Sequence, residues 1–432
     1  MQQLLHLMFY KKIKGEDMRR FKKVAVALSL LGALSLGAAE VEVLHWWTSG
    51  GEAQSVAQLK TMLEKTGNTW KDMAVAGGNG SNAMTVLKSR VMAGDPPSAA
   101  QIKGPSIQEW AQLGVLANLD NVAKADNWDK ILPKRFANVV KYKGHYVAVP
   151  VNVHRINWMW VNPSVFKKAG AKIPKTWAEF KVAAQKIKAA GFIPVAQGGQ
   201  PWQEATVFET IVLGLGGADF YQKALVELDP KALGSDTMKK AFDTLRMIKS
   251  FTDSNAPGRD WNLATAMVYK GQAAMQFMGD WAKGEFKVAG KKIGPDYVAV
   301  EAPQTAGAFI YNIDSFVMFK QKDPAKAKAQ DTLAELILSP KFQVIFNTRK
   351  GSAPVIKGVD KNKFDSIAQK SMDDILVSSK AGTLVPSMAH QMAVNDETRG
   401  AFFDVITNFY NSDMTSSKAV KNLVTAIQNS KQ

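Results

Sequence analysis

Cysteine is absent from all 432 residues. That excludes disulfides, a thiol nucleophile and a lipid-modified cysteine behind a signal sequence. The five histidines follow no zinc-ligand spacing, and neither G-x-S-x-G nor H-E-x-x-H occurs. Long apolar runs are missing too. The stretch from Val24 to Leu36 is too short to favour a membrane-spanning helix, and no second one follows it. Acidic residues are outnumbered, 38 against 55 Lys and Arg, for a net charge of +17. The first 39 residues carry +5 of that, which leaves about +12 for the rest. A basic balance fits nucleic-acid binding, but no basic helix and no RRM-like pair of stacking aromatics accompanies it. Lysines spread over helix faces read instead as a solvated surface.

What is present is an ordinary globular mixture, 46% hydrophobic and 22% charged, with room for two compact lobes. Residues 18–39 have the form of a secretory signal: Arg19, Arg20, Lys22 and Lys23, then the apolar stretch, then Gly37 and Ala39 at small-residue cleavage positions. Residues 1–17 read as an upstream extension, with Met18 the initiator. Export without a membrane anchor predicts the periplasm of a Gram-negative cell.

The stretch Tyr142–Phe180 organises the chain. Val147, Val149, Val151 and Val153 alternate around Pro150, and Ile156–Val161 resumes an extended run without a turn between them. Two extended pieces in succession predict a chain crossing from one lobe into another. Asn162-Pro163 caps a short helix, and Thr176 with Glu179 forms a capping box for the next. Upstream, residues 41–103 read as β-α-β-α-β, which predicts a parallel sheet with its functional loops at the strand carboxyl ends. Trp46, Trp47 and Lys103 lie at such ends. The Gly77–Ser81 loop lacks the features of a nucleotide fingerprint and reads as a turn. Met267–Trp281 reads as a helix end, a tight turn, a buried strand and a loop carrying an aromatic. Ala308–Phe319 is a return strand bearing Asn312 and Asp314 among apolar neighbours.

The Y-x-V-P strand, the x-N-P and P-x-T-W-x-E-F segments, G-x-A-A-M-x-x-x-G-x-W and the G-x-x-P turn after Lys350 together resemble the bacterial extracellular solute-binding proteins, which serve ABC importers for sugars. The likeness covers nearly all of residues 40–432. It implies an α/β two-lobe periplasmic-binding-protein fold, each lobe a mostly parallel sheet flanked by helices, with a hinge at the crossover strands. The first lobe would hold residues 40–151 and 308–360, the second residues 152–307 and 361–432. Within the family, HWWTSGGE, QIKGPS, YNID, TRKGSAP and MAHQ are most similar to the glucose-binding members of pseudomonad-type bacteria. That implies a monomer that captures glucose or a close hexose, needs no cofactor or metal, and hands its sugar to an inner-membrane permease.

A pyranose presents apolar C–H faces and a belt of hydroxyls, so it calls for flat aromatics plus charged or amide groups. Trp46, Trp47 and Trp281 are the candidate plates, although Trp46 reads equally well as core. Glu52, Lys103, Asn312, Asp314, Lys350 and His390 are the candidate rim. A carboxylate inside an apolar strand, as Asp314 is, needs a partner or a ligand. Glu52 fits a helix N-terminus as well as a sugar contact, and only the resemblance lifts Lys103 and Lys350 above surface lysines. It likewise implies that His390 meets a hydroxyl. His145 and His154 read as structural. Glu52 and Asp314 could in principle be a glycosidase pair, but the neighbouring lysines lower carboxylate pKa values rather than raise one.

Overall fold

The computed structural model describes residues 39–431. Of the signal sequence only Ala39 falls within them; the rest of 18–39, and the extension before it, lie outside. Strand β1 (Glu40–His45) leads into helix α1 (Gly50–Glu64), β2 (Thr69–Ala74), α2 (Ser81–Met92) and β3 (Ala99–Gln101). After short helices the chain runs through β4 (Ala148–Pro150), β5 (His154–Arg155) and β6 (Trp158–Val161). Helix α3 (Trp177–Ala189) starts at the capping box, with Thr176 accepting from Glu179 N–H and Glu179 reaching back to the cap. Next come β7 (Ile193–Val195), α4 (Pro201–Tyr221), α5 (Trp261–Tyr269), β8 (Ala273–Phe277), α6 (Ala282–Val288) and β9 (Val298–Glu301). The last elements used below are β10 (Phe309–Asn312), β11 (Ser315–Met318), α7 (Pro340–Lys350), α8 (Ser366–Ala381), β12 (Leu384–Pro386) and α9 (Asp396–Tyr410).

Three sheets carry the fold. The first has the order β2-β1-β3-β11-β4, and the second β9-β6-β8-β7. The opening β-α-β-α-β does give parallel pairing, with β1 between β2 and β3. The sheets as wholes are mixed, not mostly parallel. Strand β11 enters antiparallel between β3 and β4, and β6 runs antiparallel to both β8 and β9. The reason is connectivity: strands returning from a remote part of the chain are free to pair in either sense, whereas a β-α-β crossover enforces parallel pairing.

The third sheet, β12-β10-β5, joins the other two. Buried apolar side chains form two separate cores. One gathers residues such as Val41, Leu59, Ile107, Val149, Phe316 and Phe346; the other Trp160, Phe180, Phe208, Phe242, Phe277 and Phe402. Along β10 the sides alternate, Phe309 and Tyr311 facing the first core and Ile310 the second. Leu384 and Val385 of β12 divide in the same way. A strand with period two can serve two cores at once, and here both faces are apolar because both are covered. The result is a two-lobe α/β fold whose crossing strands are paired with one another.

Candidate functional site

Between the lobes lies a cavity of about 320 Å³. All nine residues singled out from the sequence line it: Trp46, Trp47, Glu52, Lys103, Trp281, Asn312, Asp314, Lys350 and His390. They arrive from distant segments. Trp46 and Trp47 follow β1, Glu52 sits in the first turn of α1, and Lys103 follows β3. Asn312 ends β10, Asp314 sits between β10 and β11, and Lys350 ends α7. Trp281 caps α6 from the opposite lobe.

Asp314 is the most heavily partnered group. Its Oδ1 accepts from Gln101 Nε2 at 3.3 Å and Asn312 Nδ2 at 3.4 Å, its Oδ2 from Asn152 Nδ2 at 3.1 Å and His154 Nε2 at 2.9 Å. Burial opposes its charge, but His154, Lys103 and Lys350 together hold its carboxyl well below the usual range. The carboxylate is therefore ionised although it is almost fully buried. Lys350 Nζ donates to Glu52 Oε1 at 2.6 Å, and Ser49 Oγ donates to Glu52 Oε2 at 3.1 Å. Lys103 is fully enclosed, which brings its ammonium down to about 8 with partial compensation from Asp314. Its one hydrogen bond among the described residues goes to Asn79 Oδ1 at 3.3 Å. An ammonium has three donors, so both lysines keep donors to spare. Asn312 Oδ1 is buried and has no partner among the described residues.

The aromatics cluster on the second-lobe side. Trp281 lies 6.5 Å from Trp202, 6.4 Å from Trp261 and 5.0 Å from His390, ring centre to ring centre. Trp46 has Gly80 against its face, where a Cβ would come within 3.0 Å of the ring, and Lys103 Nζ lies 5.1 Å from its centroid. Trp47 differs from the others. It is only 2% exposed, held edge-on by Phe316 at 5.5 Å and tilted against Phe346 at 5.2 Å. Its indole is mainly core, with one edge at the cavity.

His390 comes in on the loop after β12, which buried Glu209 of α4 holds in place. Glu209 accepts from Ser387 Oγ at 2.7 Å, Met388 N–H at 2.8 Å and Tyr221 Oη–H at 2.8 Å. Both nitrogens of His390 are committed, Nδ1 to Asn79 Nδ2 at 3.1 Å and Nε2 to Thr206 Oγ1 at 2.9 Å. Burial, with Lys103 and His154 nearby, pushes its pKa far down, so the ring is neutral and faces the cavity as a plate and an edge.

Sequence reasoning missed several wall residues. Asn79 belongs to the loop read as a turn, where Gly77, Gly78, Asn79 and Gly80 all have positive φ. Trp202, Trp261, Gln200, Asp260 and Asn262 complete the second-lobe side, and His154 forms part of the floor. The available signals were the tryptophan just after Gly198-Gly199-Gln200-Pro201 and the polar-aromatic-polar Asp260-Trp261-Asn262.

A model of the bacterial extracellular solute-binding proteins matches residues 47–343. The chain belongs to that family. It is a binding protein, not an enzyme. Of the two carboxylates weighed as a glycosidase pair, Asp314 is held ionised and Glu52 forms an ion pair with Lys350. The chain is 49% identical to a "probable sugar-binding periplasmic protein" of Brucella melitensis over 391 residues, 90% of this chain and 92% of the relative. Among solved structures it resembles a chitin oligosaccharide binding protein (TM-score 0.78, 19% identity, 91% of this chain and 99% of that one). It also resembles the solute receptor AcbH, described as having an exclusive preference for β-D-galactopyranose (TM-score 0.76, 19% identity, 91% and 99%). At these identities the structures speak for the fold alone.

Proposed function

We propose that the protein is the periplasmic receptor of an ABC sugar importer and that it captures a single hexose, glucose or a close epimer, in the cavity between its lobes. The observation that carries this reading is the pairing of spare polar capacity with aromatic plates in one cleft. Spare donors on Lys103 and Lys350 and the unpartnered Asn312 Oδ1 meet the hydroxyl belt, the ionised Asp314 accepts a hydroxyl in exchange for one of its long bonds from Gln101 or Asn312, and Trp281, Trp46 and the ring of His390 meet the C–H faces. Trp47 and Glu52 back this shell. A volume of about 320 Å³ is about ten waters' worth at ~30 Å³ each, room for a small saccharide. The family membership and the periplasmic relatives support export, with cleavage after Ala39 leaving Glu40, the first residue of β1, at the new terminus. The lobes divide as residues 40–151 with 308–360 and residues 152–307 with 361–432, and the protein delivers its sugar to a membrane permease as a monomer.

A thermal-shift screen of the mature protein against monosaccharides and disaccharides tests the specificity. Glucose or a neighbouring hexose should raise the unfolding midpoint most, following RT ln(1 + [L]/Kd). A rise confined to disaccharides would overturn the single-hexose reading.

A further inference from the structure

The chain passes from one core to the other between Val153 and Ile156. His154 sits at that passage on β5, paired with Asn312 of β10 and only 1% exposed. Its Nδ1 faces Asp280 Oδ1, and its Nε2 lies 2.9 Å from Asp314 Oδ2. Asp280 follows β8 in the second lobe, immediately before Trp281, and is not among the residues lining the cavity. Asp314 follows β10 on the first-lobe side. Asp280 is tied further by Arg155 N–H, which donates to its Oδ2 at 2.9 Å, and by its own N–H, which donates to Arg155 O at 3.0 Å. The imidazole also stands edge-on to Trp281, 5.2 Å between centroids at 86°.

We infer that His154 is a positioning residue for the binding site, a bridge that fixes the Asp314 carboxylate and the Trp281 plate relative to each other across the lobe junction. The inference rests on the proposal that sugar binds in this cavity. Two carboxylates on the two nitrogens of one ring are both satisfied only when both nitrogens carry protons. Burial disfavours that charge, but Asp280 and Asp314 outweigh it and raise the imidazole above its ordinary pKa. Asn152 Nδ2 also approaches Nε2, at 3.0 Å, yet its amide is oriented by Asp314 N–H donating to Asn152 Oδ1 at 3.1 Å. Its N–H is thereby directed to Asp314 Oδ2. A hydroxyl acceptor and a stacking plate are thus set by one side chain, and that side chain belongs to a crossing strand.

Calorimetric titration of the mature wild type with its best hexose comes first; no binding there would overturn the sugar reading itself. The variants are His154→Gln, which cannot donate to both carboxylates, and Asp280→Asn, which lies behind the cavity wall. Each should weaken binding by at least about tenfold, because one buried charge loses its partner. The double variant should bind no worse than His154→Gln, because it removes the stranded Asp280 charge as well. Affinities within twofold of wild type for both single variants would overturn the bridge. So would losses that simply multiply in the double variant, which is the pattern of two independent structural defects. Should His154→Gln fail to fold, Asp280→Asn decides alone: unchanged affinity and unchanged tryptophan fluorescence on binding would refute it.

Discussion

Lys350 Nζ lies 2.6 Å from Glu52 Oε1, joining the last residue of α7 to the first turn of α1 at the cavity wall. Each charge sits at the helix end whose dipole favours it, a cation at a C-terminus and an anion at an N-terminus. The ammonium also lies 5.7 Å from the Trp47 ring and 6.0 Å from Trp281, one from each lobe.

Lys350→Met should therefore weaken hexose binding by about 1.5–3 kcal/mol, a loss of roughly tenfold to a hundredfold. Adding Glu52→Gln should recover part of it, since the lone carboxylate no longer stands unpaired. Calorimetric titration is the check, and an affinity unchanged in Lys350→Met would remove that lysine from the site.

Lys103 gives a pH signature with opposite signs in binding and stability. Burial brings it down to about 8 from an ordinary 10.5, so it is charged at neutral pH and loses its proton as pH rises through about 8. Sugar affinity should fall in that range. Stability should move the other way: between about 8 and 10.5 the unfolded chain holds the proton and the native state does not, so this group's contribution rises with pH. Titrations and denaturant melts of Lys103→Met against wild type isolate both trends, and identical pH profiles in the two proteins would refute the assignment.

Trp47 and Trp281 should separate fold from binding. Trp47 is wedged between Phe316 and Phe346, so Trp47→Ala should cost about 3–5 kcal/mol of folding stability, and Trp47→Phe much less. Trp281→Ala should act mainly on affinity. Chemical denaturation and calorimetry distinguish them, and a larger stability loss for Trp281→Ala would reverse the roles.

How much of this was legible in the sequence follows from the range of each interaction. Capping at Thr176 and Glu179, the parallel opening and the two successive extended pieces after Tyr146 depend on neighbours within a few residues or one crossover. The insertion of β11 between β3 and β4 was not legible, because its partners lie some two hundred residues upstream and alternation is silent on direction. Asp314 stood out as a carboxylate in an apolar strand. Its partners Gln101, Asn152 and His154 come from two other segments and carry no local signal. Asn79 was hidden for a different reason: a run of glycines reads as a turn, and only the fold brings that turn to Lys103 and His390.

The lobes touch outside the cavity as well. Gly51 N–H donates to Glu285 Oε1 of α6 at 2.7 Å, and a Cβ on Gly51 would come within 2.8 Å of the Gly284 backbone. Gly51→Val should hold the lobes apart and weaken binding, although it replaces nothing that lines the cavity. Affinity equal to wild type would mean that this contact plays no part in closure.

A sugar gripped between two lobes should draw them together, which small-angle scattering of the mature protein with and without saturating hexose reads. Wall residues come from both lobes, so bound sugar favours the arrangement in which they meet. Saturating hexose should give a smaller radius of gyration, and Trp281→Ala should blunt that change. A sugar that raises the unfolding midpoint yet leaves the scattering curve unchanged would contradict this grip, because the site would then lie within a single lobe.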